Sequence, residues 1–166
     1  MKLPLLCVLA CLCTHGLAAP DNETNVAPGG RATQSSNERS AGRAVDGKTG
    51  DKDSCAVTDS DTDPWWRLDL LEKHQVWSVR ITNTDGDPRA DIDGADIRIG
   101  DSFHNHGNDN PRCAAISSIG LNAVESFDCG GMQGRFVNVV RRGKRERLTL
   151  CEVEVFAQPL FLIRAC

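Results

Sequence analysis

Two pairs of neighbours, far apart in the chain, carry the chemistry that stands out first: Ser54 immediately precedes Cys55, and Cys151 immediately precedes Glu152. If these two cysteines are bonded, their Cα atoms lie about 5.5 Å apart. One further peptide step on each side adds at most about 3.8 Å. A hydroxyl and a carboxylate from distant segments would then share one neighbourhood. Just upstream, Val45-Asp46-Gly47-Lys48-Thr49-Gly50 is a glycine-broken loop with a second carboxylate. Two carboxylates, a hydroxyl and turned-in carbonyls suit a hard cation such as Ca²⁺, which takes six to eight oxygens at about 2.3–2.6 Å. Closing so long a loop would stabilise the fold by roughly 4–5 kcal/mol in the chain-entropy view.

Other chemistry-bearing clusters read as structural. Asp59-Ser60-Asp61-Thr62-Asp63 imitates the start of an EF-hand loop, but Pro64 stands where that loop needs Gly and Leu70 where it needs a bidentate Glu. It reads as a solvated acidic turn. His104 and His106 flank Asn105 with no third metal ligand in sight. Trp65 and Trp66 open a strand pattern and read as core rather than as stacking platforms. The run Arg141 to Arg147 gathers positive charge at an expected hairpin turn and reads as exposed and solubilising. There is no nucleophile elbow, no His-Glu-x-x-His and no phosphate-cradling glycine loop, so a binding module is expected and not an enzyme.

The elements that must position these residues are strands. Arg67 to Leu70, Val76 to Thr82, Ala95 to Ile99, Val124 to Phe127, Arg135 to Val140 and Leu148 to Phe156 alternate apolar and polar residues. Trp77, Val79 and Ile81 share one face, and Ile97 and Ile99 point inward with Asp96 and Arg98 outward. Gly130-Gly131 and Arg142-Gly143 read as turns between them. Many short antiparallel strands mean an all-β sandwich or barrel.

The chain has 166 residues, enough for one domain with a real core. Residues 1–18 read as a signal peptide: Lys2, an apolar run, then small residues before the cut. No stretch is long enough to span a bilayer, which takes roughly 20 apolar residues. A secreted, extracellular product is expected, with a leader over 19–24, a domain over 25–157 and an apolar tail over 158–166. Of the eight cysteines, Cys7, Cys11 and Cys13 leave with the signal, so Cys55, Cys113, Cys129, Cys151 and Cys166 remain. An odd number in an oxidising compartment leaves one thiol over. Asn22-Glu23-Thr24 is a glycosylation sequon. Nineteen basic against 23 acidic residues argue against a nucleic-acid partner.

Together, Ala44-Val-Asp46-Gly47, Ser54-Cys55, Asp63-Pro-Trp-Trp-Arg-Leu-Asp-Leu-Leu71, Ile81-Thr-Asn83, Asn110-Pro-Arg-Cys113, Gly134-Arg-Phe-Val-Asn-Val139 and Leu148-Thr-Leu-Cys-Glu-Val-Glu-Val155 resemble the F-type lectins, or fucolectins. The resemblance covers about Asn25 to Ala157. It implies a discoidin-like β-sandwich jelly roll stapled by Cys55–Cys151 and Cys113–Cys129, with Cys166 as the odd thiol. It implies a structural Ca²⁺ held by the side chains of Asp46, Ser54 and Glu152 and by the carbonyls of Arg43, Lys48, Ser54 and Cys151. The charged heads of Arg43 and Lys48 would point to water.

The same resemblance implies L-fucose bound by one His and two Arg on loops at one end. Here those positions hold Val57, Thr84 and Asp91, while Arg89 lies two positions off the second Arg. Each lost donor would leave a sugar hydroxyl unpaired, at about 1–3 kcal/mol. Two readings follow. One is a Ca²⁺-binding lectin recognising glycans or glycoproteins on cell surfaces, as the family does in innate defence. The alternative is a lectin-fold adhesion or protein-interaction module that no longer binds sugar. Homo-oligomers, which the family forms, are a further expectation.

Overall fold

The computed structural model describes residues 23–49, 52–84, 92–143 and 145–160. The expected signal peptide, Asn22, Arg89, Asp91 and Cys166 lie outside the described residues. Those that are described form eleven strands, and the helical turns among them are all of the tight 3-10 type. The strands are β1 (Thr24–Asn25), β2 (Arg31–Gln34), β3 (Ala56–Val57), β4 (Asp61–Thr62), β5 (Trp65–Thr82), β6 (Asp96–Gly100), β7 (Arg112–Ala115), β8 (Val124–Val140), β9 (Arg145–Glu146), β10 (Thr149–Leu150) and β11 (Glu152–Pro159). All pair antiparallel, in a main sheet of order β1-β11-β5-β8-β6-β7 with β2 added to β5, and in two small ribbons, β10-β3 and β4-β9. This is the expected all-β jelly-roll sandwich with two disulfides.

Two strand boundaries differ from the sequence pattern for a physical reason. The alternations at Arg67–Leu70 and Val76–Thr82 are halves of one strand, with its register broken between Asp69 and His74. Likewise Val124–Phe127 and Arg135–Val140 belong to one strand, and Gly130-Gly131 is an internal bulge opposite Trp77 rather than a turn. Both glycines have positive φ (58° and 75°), which a bulge tolerates and an L side chain resists. The first half of β5 pairs with β2 and the last residues of β8; the second half pairs with β11 and the first residues of β8. Conversely, the run Leu148 to Phe156 is cut at Cys151, where the chain passes from the β10-β3 ribbon to the main sheet. β11 then continues through Gln158 and Pro159 opposite Gln75 and His74, two residues into the segment expected as tail.

Alternation decides the core. Ile97 and Ile99 are buried, while Asp96 and Arg98 are only partly covered and pair with each other at 2.7 Å. Trp66, Leu68, Val79, Ile81, Val137, Val139, Val153 and Val155 fill the interior. Each such side chain contributes about 1.5–3 kcal/mol relative to exposure. The two tryptophans part company. Trp66 is core, its indole N–H donating to the Ala41 carbonyl at 3.0 Å, whereas Trp65 is half-buried and stacks on His106 at 4.7 Å. The acidic turn is not simply solvated either: the Asp61 carboxylate accepts from Ser35 Oγ at 2.7 Å, and Asp63 accepts the Gly143 N–H at 2.6 Å.

β6 and β8 approach so closely at Gly100 and Gly134 that a Cβ on Gly134 would stand 2.5 Å from the Gly100 nitrogen and 2.7 Å from its Cα. Backbone cannot swing away as a side chain can. Gly134→Ala should therefore lose about 1–3 kcal/mol of stability, read as a lower urea midpoint. Gly29→Ala, with nothing within 4 Å of the added carbon, is the control and should move it by less than about 1 kcal/mol.

Candidate functional site

Cys55 and Cys151, 96 positions apart, are bonded, with Cα atoms 3.9 Å apart. The second bridge, Cys113–Cys129, ties β7 to β8. The first draws several strand ends together. Ala56 and Val57 of β3 pair with Leu150 and Thr149 just before the bridge; Glu152 pairs with Thr82 just after it. The Cys151 N–H also donates to the Thr82 carbonyl at 3.2 Å. Glu152 is thereby fixed opposite Thr82, the last residue of β5, which Asn83 and Thr84 follow.

Asp46 ends the 3-10 helix Glu38–Val45, and Gly47 follows with φ of 75°, a left-handed turn that glycine adopts freely. This turn aims the Gly47 N–H at Glu152 Oε2, 3.1 Å away. The Asp46 carboxylate accepts the Lys48 N–H at 3.0 Å. Lys48 departs from expectation, since its ammonium contacts Asp46 Oδ2 at 3.5 Å instead of pointing only to water. At 76% side-chain exposure the contact is a weak surface pair. Arg43 is exposed, and Ser54, between the 3-10 turn Lys52–Ser54 and the bridge, is half-buried.

Glu152 is the informative residue. Only 4% of it is exposed, and among the described residues no cationic side chain pairs with it. Burial, helped by repulsion from Asp46 and Glu154 and opposed by the Gly47 N–H, pushes its carboxyl up to about 7. A buried carboxylate beside a second one is costly unless a cation neutralises both. No three of His, Cys, Asp and Glu gather among the described residues; the donors at hand are oxygens, from the Asp46 and Glu152 carboxylates, the Ser54 hydroxyl beside the bridge and main-chain carbonyls. That set fits a hard divalent cation and suits a soft one poorly. The Gly47 amide was missed from sequence, because a backbone donor leaves no mark in residue type.

Two of the positions where the family's sugar donors would stand, Val57 and Thr84, are among the described residues and lie near this end. Val57 is half-buried and held by its backbone: its N–H donates to Ser40 Oγ at 3.2 Å, and its carbonyl accepts from Gln34 Nε2 and Asn37 Nδ2 at 2.9 Å each. Thr84 is 1% exposed, its N–H donating to Asn83 Oδ1 and its carbonyl accepting the Asn122 N–H, both at 2.8 Å. Neither offers the planar fork of an arginine. Beside Thr84 stand Leu121 and Val124, 59% and 56% exposed.

The remaining clusters are spoken for. His106 stacks on Trp65, and its carbonyl accepts from Arg67 and Asn138; His104 sits 3.5 Å from Asp109. In the basic turn Arg141 pairs with Glu146 and Arg142 with Asp109.

A sequence profile of the NedA-like, galactose-binding domain matches residues 43–139. Fucolectin-1 of Anguilla japonica is 42% identical over 147 residues, covering 81% of this chain and 82% of its own length. The chain belongs to the F-type lectin family. Its likeness to the pentraxin fusion protein of Xenopus laevis is 40% identical over 142 residues, but the chain spans only 34% of that protein. Among solved structures, the F-lectin (fucolectin) of striped bass (Morone saxatilis) serum superposes with a TM-score of 0.77 at 50% identity, over 81% of this chain and 47% of that one. In this F-type lectin the bonded Cys55 and Cys151 stand next in sequence to Ser54 and Glu152.

Proposed function

We propose that this protein is a secreted, Ca²⁺-binding lectin that recognises glycans or glycoproteins on cell surfaces, without catalytic activity. The observation that carries it is the buried Glu152 carboxylate, set beside Asp46 by the Gly47 turn without a cationic partner among the described residues, in a chain akin to fucolectins. The side chains of Asp46, Ser54 and Glu152 and the carbonyls of Arg43, Lys48, Ser54 and Cys151 would hold the ion. It would neutralise the carboxylates and stiffen the end of the sandwich where the sugar loops begin. The two disulfides and the leader-like N-terminus support export.

Fucose is not the ligand this reading favours. Hydroxyls of a neutral sugar need fixed donors, and the positions at hand are an aliphatic Val57 and an enclosed Thr84. A glycan array probed with Ca²⁺ and with chelator tests the reading. The expected result is Ca²⁺-dependent retention of glycans that terminate in sugars other than fucose. A blank array from folded protein would favour the second reading, a protein-interaction module. The exposed Leu121 and Val124 beside Thr84 support that one, as apolar surface at a loop end suits a protein partner.

A further inference from the structure

Midway along β5, the bend between its halves opens a cleft of ≈ 540 Å³. The stretch from His74 to Thr82 separates it from Glu152, roughly 25–30 Å of strand. The large hydrophobics exposed among the described residues are Leu71, Phe103, Leu121 and Val124, and two of them, Leu71 at 43% and Phe103 at 61%, line this cleft. Leu71 is held there in a conformation that a bulky side chain avoids, with φ of 68° and its N–H bonded to Asp69 Oδ1 at 2.8 Å.

Phe103 is fixed from behind. The Arg67 guanidinium lies 4.5 Å from its ring centre, and Phe136 meets it edge-on at 5.7 Å. Arg67 is itself pinned by the His106 carbonyl and Thr33 Oγ1, both at 3.1 Å. One face of the ring is thus covered, and the exposed area belongs to the other.

The polar rim is set just as firmly. Arg135 grips Asp69 with Nε and Nη2 at 2.7 and 2.8 Å, which leaves three of its five N–H donors for a ligand. Its backbone N–H donates to Asp101 Oδ1 at 3.0 Å, and Asp101 in turn pairs with Lys73. Each cation is already matched by a carboxylate, and Glu72 adds a further negative charge. An anionic ligand is therefore disfavoured. What fits is a molecule with many neutral donors and acceptors on one side and a face of C–H bonds on the other.

We infer that this cleft is a second ligand site, for a neutral pyranoside whose C–H face stacks on Phe103 and whose hydroxyls meet the Arg135–Asp69 and Lys73–Asp101 pairs. It shares no residue with the metal end and stands or falls independently of it.

The test is an amide-shift titration of the full ¹⁵N-labelled chain with methyl glycosides of galactose, glucose, mannose and fucose, and with N-acetylneuraminic acid as the charged counter-probe. The expected result is saturable shifts at Leu71, Phe103 and Arg135 with at least one neutral glycoside and none with the acid. Phe103→Ala should weaken that binding about tenfold. Should its spectrum show a disturbed fold, Arg135→Lys, which keeps the charge and loses the fork, should give a loss of the same order. Shifts confined to the Thr84 end, no saturable shift with any neutral glycoside, or undiminished affinity in the folded variants would overturn the assignment.

Discussion

In saturating Ca²⁺, Glu152→Gln should melt several degrees below the wild type, and once the ion is chelated it should melt no lower than the wild type. A ligand present at about 100 times its dissociation constant stabilises the folded state by about 2.7 kcal/mol. For a domain of this size that amounts to roughly 5–10 °C. Glutamine keeps an oxygen for the Gly47 N–H, so the metal-free fold loses nothing, and it sheds the repulsion from Asp46. The pH dependence follows with a definite sign. Without metal, the folded protein holds the Glu152 proton up to about pH 7, while the unfolded chain releases it near the ordinary carboxyl value of 4.5. Between those values the unfolded state binds fewer protons, so stability falls as pH rises through the window. Ca²⁺ reverses the preference by binding the ionised form, and its affinity should climb with pH up to about 7. Calorimetric melts at several pH values, with and without chelator, would check both halves. Equal melting of the two proteins in saturating Ca²⁺ would remove the ion from this site.

Loss of the Cys55–Cys151 bridge should cost more. It closes a loop of sequence separation 96, for which the chain-entropy relation gives about 4–5 kcal/mol. That is a large share of the roughly 5–15 kcal/mol that holds a domain folded. The double variant Cys55→Ala/Cys151→Ala should show that loss in its urea midpoint. It should also bind Ca²⁺ more weakly even where it is still folded, because the bridge is what seats Ser54 beside Glu152. Removing Cys113 and Cys129, whose separation is 16, should cost about 3 kcal/mol by the same relation and leave Ca²⁺ affinity alone. If the two double variants bound the ion equally well, the bridge would be a staple and nothing more.

Much of this was legible in the residues. Ile97 and Ile99 against Asp96 and Arg98 gave the strand and its inward face, because a half-buried strand alternates strictly. The neighbours Ser54-Cys55 and Cys151-Glu152 pointed to two distant segments meeting at one bridge, because one covalent bond fixes their distance. What did not show was anything decided by tertiary contact. Gly130-Gly131 has the composition of a turn, and only the strand across from it makes it a bulge. Trp65 and Trp66 are chemically identical, yet one lies in the core and the other on His106, since neighbours on a strand face opposite ways. Arg135 and Asp69 lie 66 positions apart, too far for any local pattern to join them.

β5 and β8 each pass through both halves of the main sheet, pairing along nearly their whole lengths. Neither half therefore owns a complete set of strands, and tearing one open unzips the spine of the other. A pull on either half of this sheet is carried into the other through two continuous strands.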